Sequence, residues 1–147
     1  MAQVLVADGN RDVRAFAGWA LMEAGYTVLE ADSGLAALTI MAAAAPPLVV
    51  LLAARLPDLD SVQVLRFARQ ALRAAPSRFG IVLMAPEAAM PAAPADPLLD
   101  GWLAGALVKP FDLDELMAAV RAAERRLRAL QPGALARAGL VAPASHT

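Results

Sequence analysis

The chain has no cysteine, one histidine and one lysine. Without cysteine no disulfide can form, and at 147 residues none is needed, since one domain of this size buries roughly two thirds of its unfolded surface. The absence is compatible with a reducing cytoplasm. The single histidine, His146, lies in the C-terminal tail, and no nucleophile with an adjacent base is visible elsewhere, so nothing points to an enzyme. An excess of charge is also missing. Thirteen basic residues against fourteen acidic ones leave a net charge of −1, which gives no electrostatic case for nucleic acid. The start, MAQVLVAD, has no basic residue and meets Asp8 before an apolar segment of signal-peptide length is complete. No internal repeat is present.

What the chain has is apolar residues, 59% of the total, including an uncharged window from Ser33 to Ala54 long enough to span a bilayer. Pro46 and Pro47 divide that window. Its alanine-rich first half reads as a helix and its second half, LVVLL, as a buried strand, so the chain reads as soluble and cytoplasmic, with no membrane span.

The remaining segments alternate in the same way. QVLVA (3–7) has strand length, and Asn10 caps a helix with Val13, Phe16, Ala17, Ala20, Leu21 and Ala24 inward, ended by Gly25. YTVLEA (26–31) reads as an edge strand, 34–45 as a helix and LVVLL (48–52) as a central strand covered on both faces. A helix over 61–75 precedes the strand FGIVLM (79–84). Four prolines in PEAAMPAAPADP (86–97) exclude a long helix and leave room for a short one capped by Asp96. GALV (105–108) is the fifth strand. Asp112 and Glu115 form a capping box, and Leu113, Leu116, Met117, Val120, Leu127 and Leu130 mark a long last helix. Residues 1–131 thus form one domain and 132–147 a flexible tail. Five strands joined by helical connections imply a doubly wound parallel sheet, with function at the carboxyl ends of its strands.

VLVAD, RLPDLDS and above all LVKPFDLDEL, in that order, resemble the receiver domain of bacterial response regulators over roughly residues 3–128. The resemblance implies a flavodoxin-like sheet of order 2-1-3-4-5 and signalling by a phosphoryl group on an aspartate. It also exposes gaps. The phosphoacceptor position falls on Ala53, the acidic pair on Asp8 and Gly9, the hydroxyl residue on Met84 and the aromatic switch on Ala106; only Asp8 and Lys109 keep the family's side chains. No cofactor is expected, because one surviving carboxylate makes a poor magnesium site. Asp58 and Asp60 are expected to lie outside the pocket. Lys109 is open to two readings, a salt bridge to Asp8 with Pro110 cis, or an anion site that would make the domain a small-ligand sensor.

Partners then come from surfaces. Ala15, Gly18, Trp19 and Met22 form a second apolar stripe on the first helix, the element on which receivers dock a sensor histidine kinase or phosphotransfer protein; a homodimer is the other use for it. Leu98, Leu99 and Trp102 either offer a rebuilt partner surface or cover the sheet. The arginines of the last helix (Arg121, Arg125, Arg126, Arg128) read as a solvated face.

Overall fold

The computed structural model describes residues 3–73, 77–90 and 101–131. The elements, in chain order, are β1 (Gln3–Ala7), α1 (Arg11–Glu23), β2 (Thr27–Ala31), α2 (Gly34–Ala43), β3 (Leu48–Ala53), α3 (Ser61–Leu72), β4 (Phe79–Pro86), β5 (Leu103–Lys109) and α4 (Leu113–Leu130), with a 3-10 turn at Glu87–Ala89. The strands form one parallel sheet in the order β2-β1-β3-β4-β5. This is a flavodoxin-like α/β architecture, as the alternating segments require.

Local chemistry starts and stops the helices. The Asn10 side chain accepts from the backbone N–H of Asp12 and Val13, and Ser33 accepts from that of Ala36. Asp60 with Gln63, and Asp112 with Glu115, form reciprocal capping boxes. Gly25, at φ 95°, closes α1. Arg73 is left-handed at φ 48°, so α3 ends at Leu72, three residues short of the expected end. The uncharged 33–54 window divides at a cis Pro46–Pro47 bond into α2 and β3, and no helix among the described residues is long and apolar enough to cross a membrane.

Alternation along β3 explains why its run has no polar position. Leu48, Val50 and Leu52 pack under α2 and α3 with Met41, Val64 and Ile81, while Val49 and Leu51 pack under α1 and α4 with Leu21, Val82 and Leu116. All six residues of β3 are buried.

Burial corrects several expectations. Trp102 is fully buried and so offers no partner surface: it meets Phe79 edge-on at 5.5 Å, and its carbonyl accepts the Ile81 N–H at 2.7 Å. Arg69 covers its ring at 5.9 Å. Trp102 thus extends β5 and closes the α2–α3 side of the core; a proline-rich segment has no periodicity from which to infer this. Gly18 is buried, with Val28 on β2 its nearest neighbour, and so drops out of the exposed stripe. Phe16, expected inward, is 37% exposed and lies at the rim with its ring 6.2 Å from that of Phe111. Leu113 and Leu130, at the two ends of α4, are exposed. Leu98, Leu99, the helix expected from Asp96 and the 132–147 tail lie outside the described residues.

Candidate functional site

Four strands bring the predicted residues to one end of the sheet. The parallel register sets Ala7 beside Leu52, Ala53 beside Met84 and Pro86 beside Lys109, so Asp8, Ala53, Met84 and Lys109 share the carboxyl edge. The centre of the arrangement is an ion pair. Lys109 Nζ donates to Asp8 Oδ2 at 2.5 Å, and the Asn10 N–H donates to Oδ1 at 2.9 Å. Both carboxylate oxygens therefore have partners, and the residue is only 3% exposed.

The loop that presents Asp8 is held from both sides. Its N–H donates to the Ala31 carbonyl on β2 at 3.0 Å, and its own carbonyl accepts from Arg14 Nη1 at 2.6 Å. Arg14 also faces Glu30 at 3.8 Å. The Lys109–Pro110 bond is cis, as the resemblance implies, and leads through Phe111 into the Asp112 cap of α4.

Around the pair, functional groups give way to hydrocarbon. Ala53 is a buried methyl at the end of β3, packed with the α2–α3 side of the core. Met84 is fully buried and packs with the α1–α4 side, whereas Ala106 lies exposed on β5. Gly9 is exposed and adds no side chain. The nearby acids have other tasks. Asp60 caps α3, and Asp58 reaches across to α2, accepting from the N–H of Gly34 at 2.6 Å and of Leu35 at 3.0 Å. Those two backbone donors favour its charged form and hold its carboxyl below the ordinary value of 3.8.

Sequence reasoning did not find the Asp58 contact, nor Arg14 as the pin of the Asp8 loop. Asp58 and Gly34 lie 24 positions apart, and neither residue type marks the other. On α1 the exposed stripe reduces to Ala15, Trp19 (56% exposed) and Met22 (61%), with Phe16 leading from it toward Phe111. Trp19 and Met22 are among the most exposed large apolar side chains of the described residues.

A doubly wound α/β domain with a parallel sheet of this order, and an ion pair at its carboxyl edge, belongs as a class with the flavodoxin-like folds. Residues 4–121 match the response regulator receiver domain family, and the chain belongs to that family: it is the receiver domain of a two-component response regulator. Solved structures agree on the fold. A CheY-like receiver domain protein of Methanospirillum hungatei JF-1 superposes with a TM-score of 0.72 at 22% identity, over 86% of this chain and 97% of its own. A receiver domain protein of Clostridium thermocellum gives 0.75 at 21%, over 89% and 100%. The chemotaxis response regulator CheY4 of Vibrio cholerae gives 0.68 at 23%, over 84% and 98%. No curated protein matches the chain in sequence.

Proposed function

We propose that this chain is an atypical receiver domain that carries no phosphoryl group on the usual aspartate and acts in two-component signalling through protein contacts. The observation that carries this is the methyl of Ala53 at the acceptor position. A methyl group has no lone pair to attack phosphorus. The two acids in the following loop cap helices, and in-line transfer needs a nucleophile within about 3 to 3.5 Å of its target.

The residues present also do not fit a magnesium ion. That ion takes oxygen ligands in near-octahedral geometry. Asp8 offers two oxygens already engaged by an ammonium and an amide, while Gly9 and Ala53 offer no side-chain oxygen. The same pairing of Lys109 supplies no argument for an anion or metabolite site at this mouth. Receiver domains work with histidine kinases or phosphotransfer proteins, and such a partner, or a second copy of the chain, would use the Ala15, Trp19 and Met22 face. The setting of this reading is the cytoplasm.

The test is the intact mass of the protein after incubation with acetyl phosphate and magnesium, beside an active receiver as control. No gain is expected. A stable gain of one phosphoryl group overturns the reading and directs attention to Asp58, Asp60 and Asp8.

A further inference from the structure

We infer that the β3–α3 loop, residues 54–60, is a strap held shut by three separate contacts, which keep the carboxyl edge of the sheet in one conformation with no anion or metal bound. The inference rests on the phosphate-independent reading above and extends it to how the site is regulated: it is preset.

The first contact is polar. Asp58 takes the N–H groups of Gly34 and Leu35, so the loop caps the N-terminus of α2 from outside that helix. The second is steric. A Cβ on Gly34 would lie 2.8 Å from Leu59 Cβ and 2.9 Å from its Cδ1, so the Leu59 side chain seats where only glycine leaves room. The third lies across the loop at the other edge. A Cβ on Gly9 would come within 3.2 Å of Pro57 Cδ, so the proline ring packs close against the Gly9 backbone and would have to give by a few tenths of an ångström for a side chain there. Position 9 is where the resemblance implies a second carboxylate.

Two backbone hydrogen bonds close the strap on itself. The Leu56 N–H donates to Leu59 O at 2.9 Å and the Ser61 N–H to Ala54 O at 2.9 Å, with Arg55 and Asp60 forming an isolated antiparallel bridge. The Ala54 N–H fastens the start of the loop to Met84 O at 2.8 Å. A loop anchored on the β1–α1 turn, on α2 and on β4 opens only by releasing several of these together, so opening is cooperative rather than piecemeal. A partner meeting this edge would encounter the same Arg55 and Pro57 surface at all times.

Amide hydrogen exchange on the full chain, read by NMR, tests this. Asp58→Ala is expected to lower protection on the order of tenfold not only at Gly34 and Leu35 but also at Leu56 and Ser61, whose amides Asp58 does not touch. Amides of β1 and β3 serve as controls and stay protected. Should Asp58→Ala unfold the domain, Asp58→Asn keeps one acceptor oxygen and gives the same pattern at smaller amplitude. Faster exchange confined to Gly34 and Leu35 would make Asp58 a plain helix cap and overturn the strap. So would Leu56 and Ser61 amides that already exchange freely in the unaltered protein. The two readings fail separately. A phosphoryl gain with coupled exchange sinks the functional reading alone, and uncoupled exchange with no mass gain sinks the strap alone.

Discussion

Cutting the Asp8–Lys109 pair is expected to cost more stability when the lysine is removed than when the aspartate is. Lys109→Met strands a carboxylate whose side chain is 4% exposed, with the Asn10 N–H as its remaining donor. Asp8→Asn strands an ammonium that is 23% exposed at the end of a flexible stem, where it can turn to water. Removing one partner of a fully buried pair costs about 3 to 5 kcal/mol. Lys109→Met is placed near about 3 kcal/mol by that scale, and Asp8→Asn nearer about 1 to 2 kcal/mol, because its amide oxygen still accepts from Asn10. Both variants stay within the about 5 to 15 kcal/mol that holds such a domain together. Urea unfolding followed by tryptophan fluorescence suits the measurement, since Trp102 is buried in the folded state. The double variant completes a cycle with an expected coupling above about 1 kcal/mol. A larger loss for Asp8→Asn than for Lys109→Met, or a coupling below about 0.5 kcal/mol, would refute the assignment of Asp8 as the more deeply buried charge.

Three further outcomes follow from burial and geometry. Trp102→Ala removes a fully buried ring and is expected to cost about 3 to 5 kcal/mol, whereas Trp19→Ser, at an exposed position, stays within about 0.5 kcal/mol; paired denaturation curves distinguish the two. Gly18→Ala is expected to stabilise by about 0.5 to 1 kcal/mol, because the new Cβ would meet Val28 Cγ1 at an ordinary 3.9 Å within a helix interior; a lower midpoint would mean that α1 packs closer to β2 than described. The Asp58 contribution has a definite sign with pH. Its folded pKa is depressed, so its stabilisation is complete above the unfolded value near 3.8 and is lost as pH falls through the lower folded value. The stability gap between the unaltered protein and Asp58→Asn therefore closes on acidification below about pH 4, and a gap independent of pH would contradict the capping geometry.

Much of the site was legible because its signals are local or are set by topology. Asn10, Asp112 and Glu115 announce their helices within four residues of the chain, and the structure places each as a cap. Asp8 and Lys109 lie 101 positions apart, yet a parallel sheet must bring the carboxyl ends of its strands to one edge, so their meeting there was legible, while the choice between a salt bridge and an anion site was left to the structure. Asp58 is different. Its short side chain reads as an ordinary turn acid, and only the seating of Leu59 on Gly34 brings it over α2. Trp102 was ambiguous for a related reason: a lone aromatic beside prolines has no periodic neighbours to say which way it faces, and the β4–β5 register decides that it faces in.

The sequence by itself determined the element order, the parallel sheet and the absence of a nucleophile at position 53, since apolar periodicity, capping residues and side-chain identity act within a few residues. Only the tertiary structure decided which apolar residues remain outside and which acids have work elsewhere. Burial and hydrogen bonding at Gly18, Trp102 and Asp58 depend on what another segment brings against them, and the identity of a residue carries no record of its neighbour.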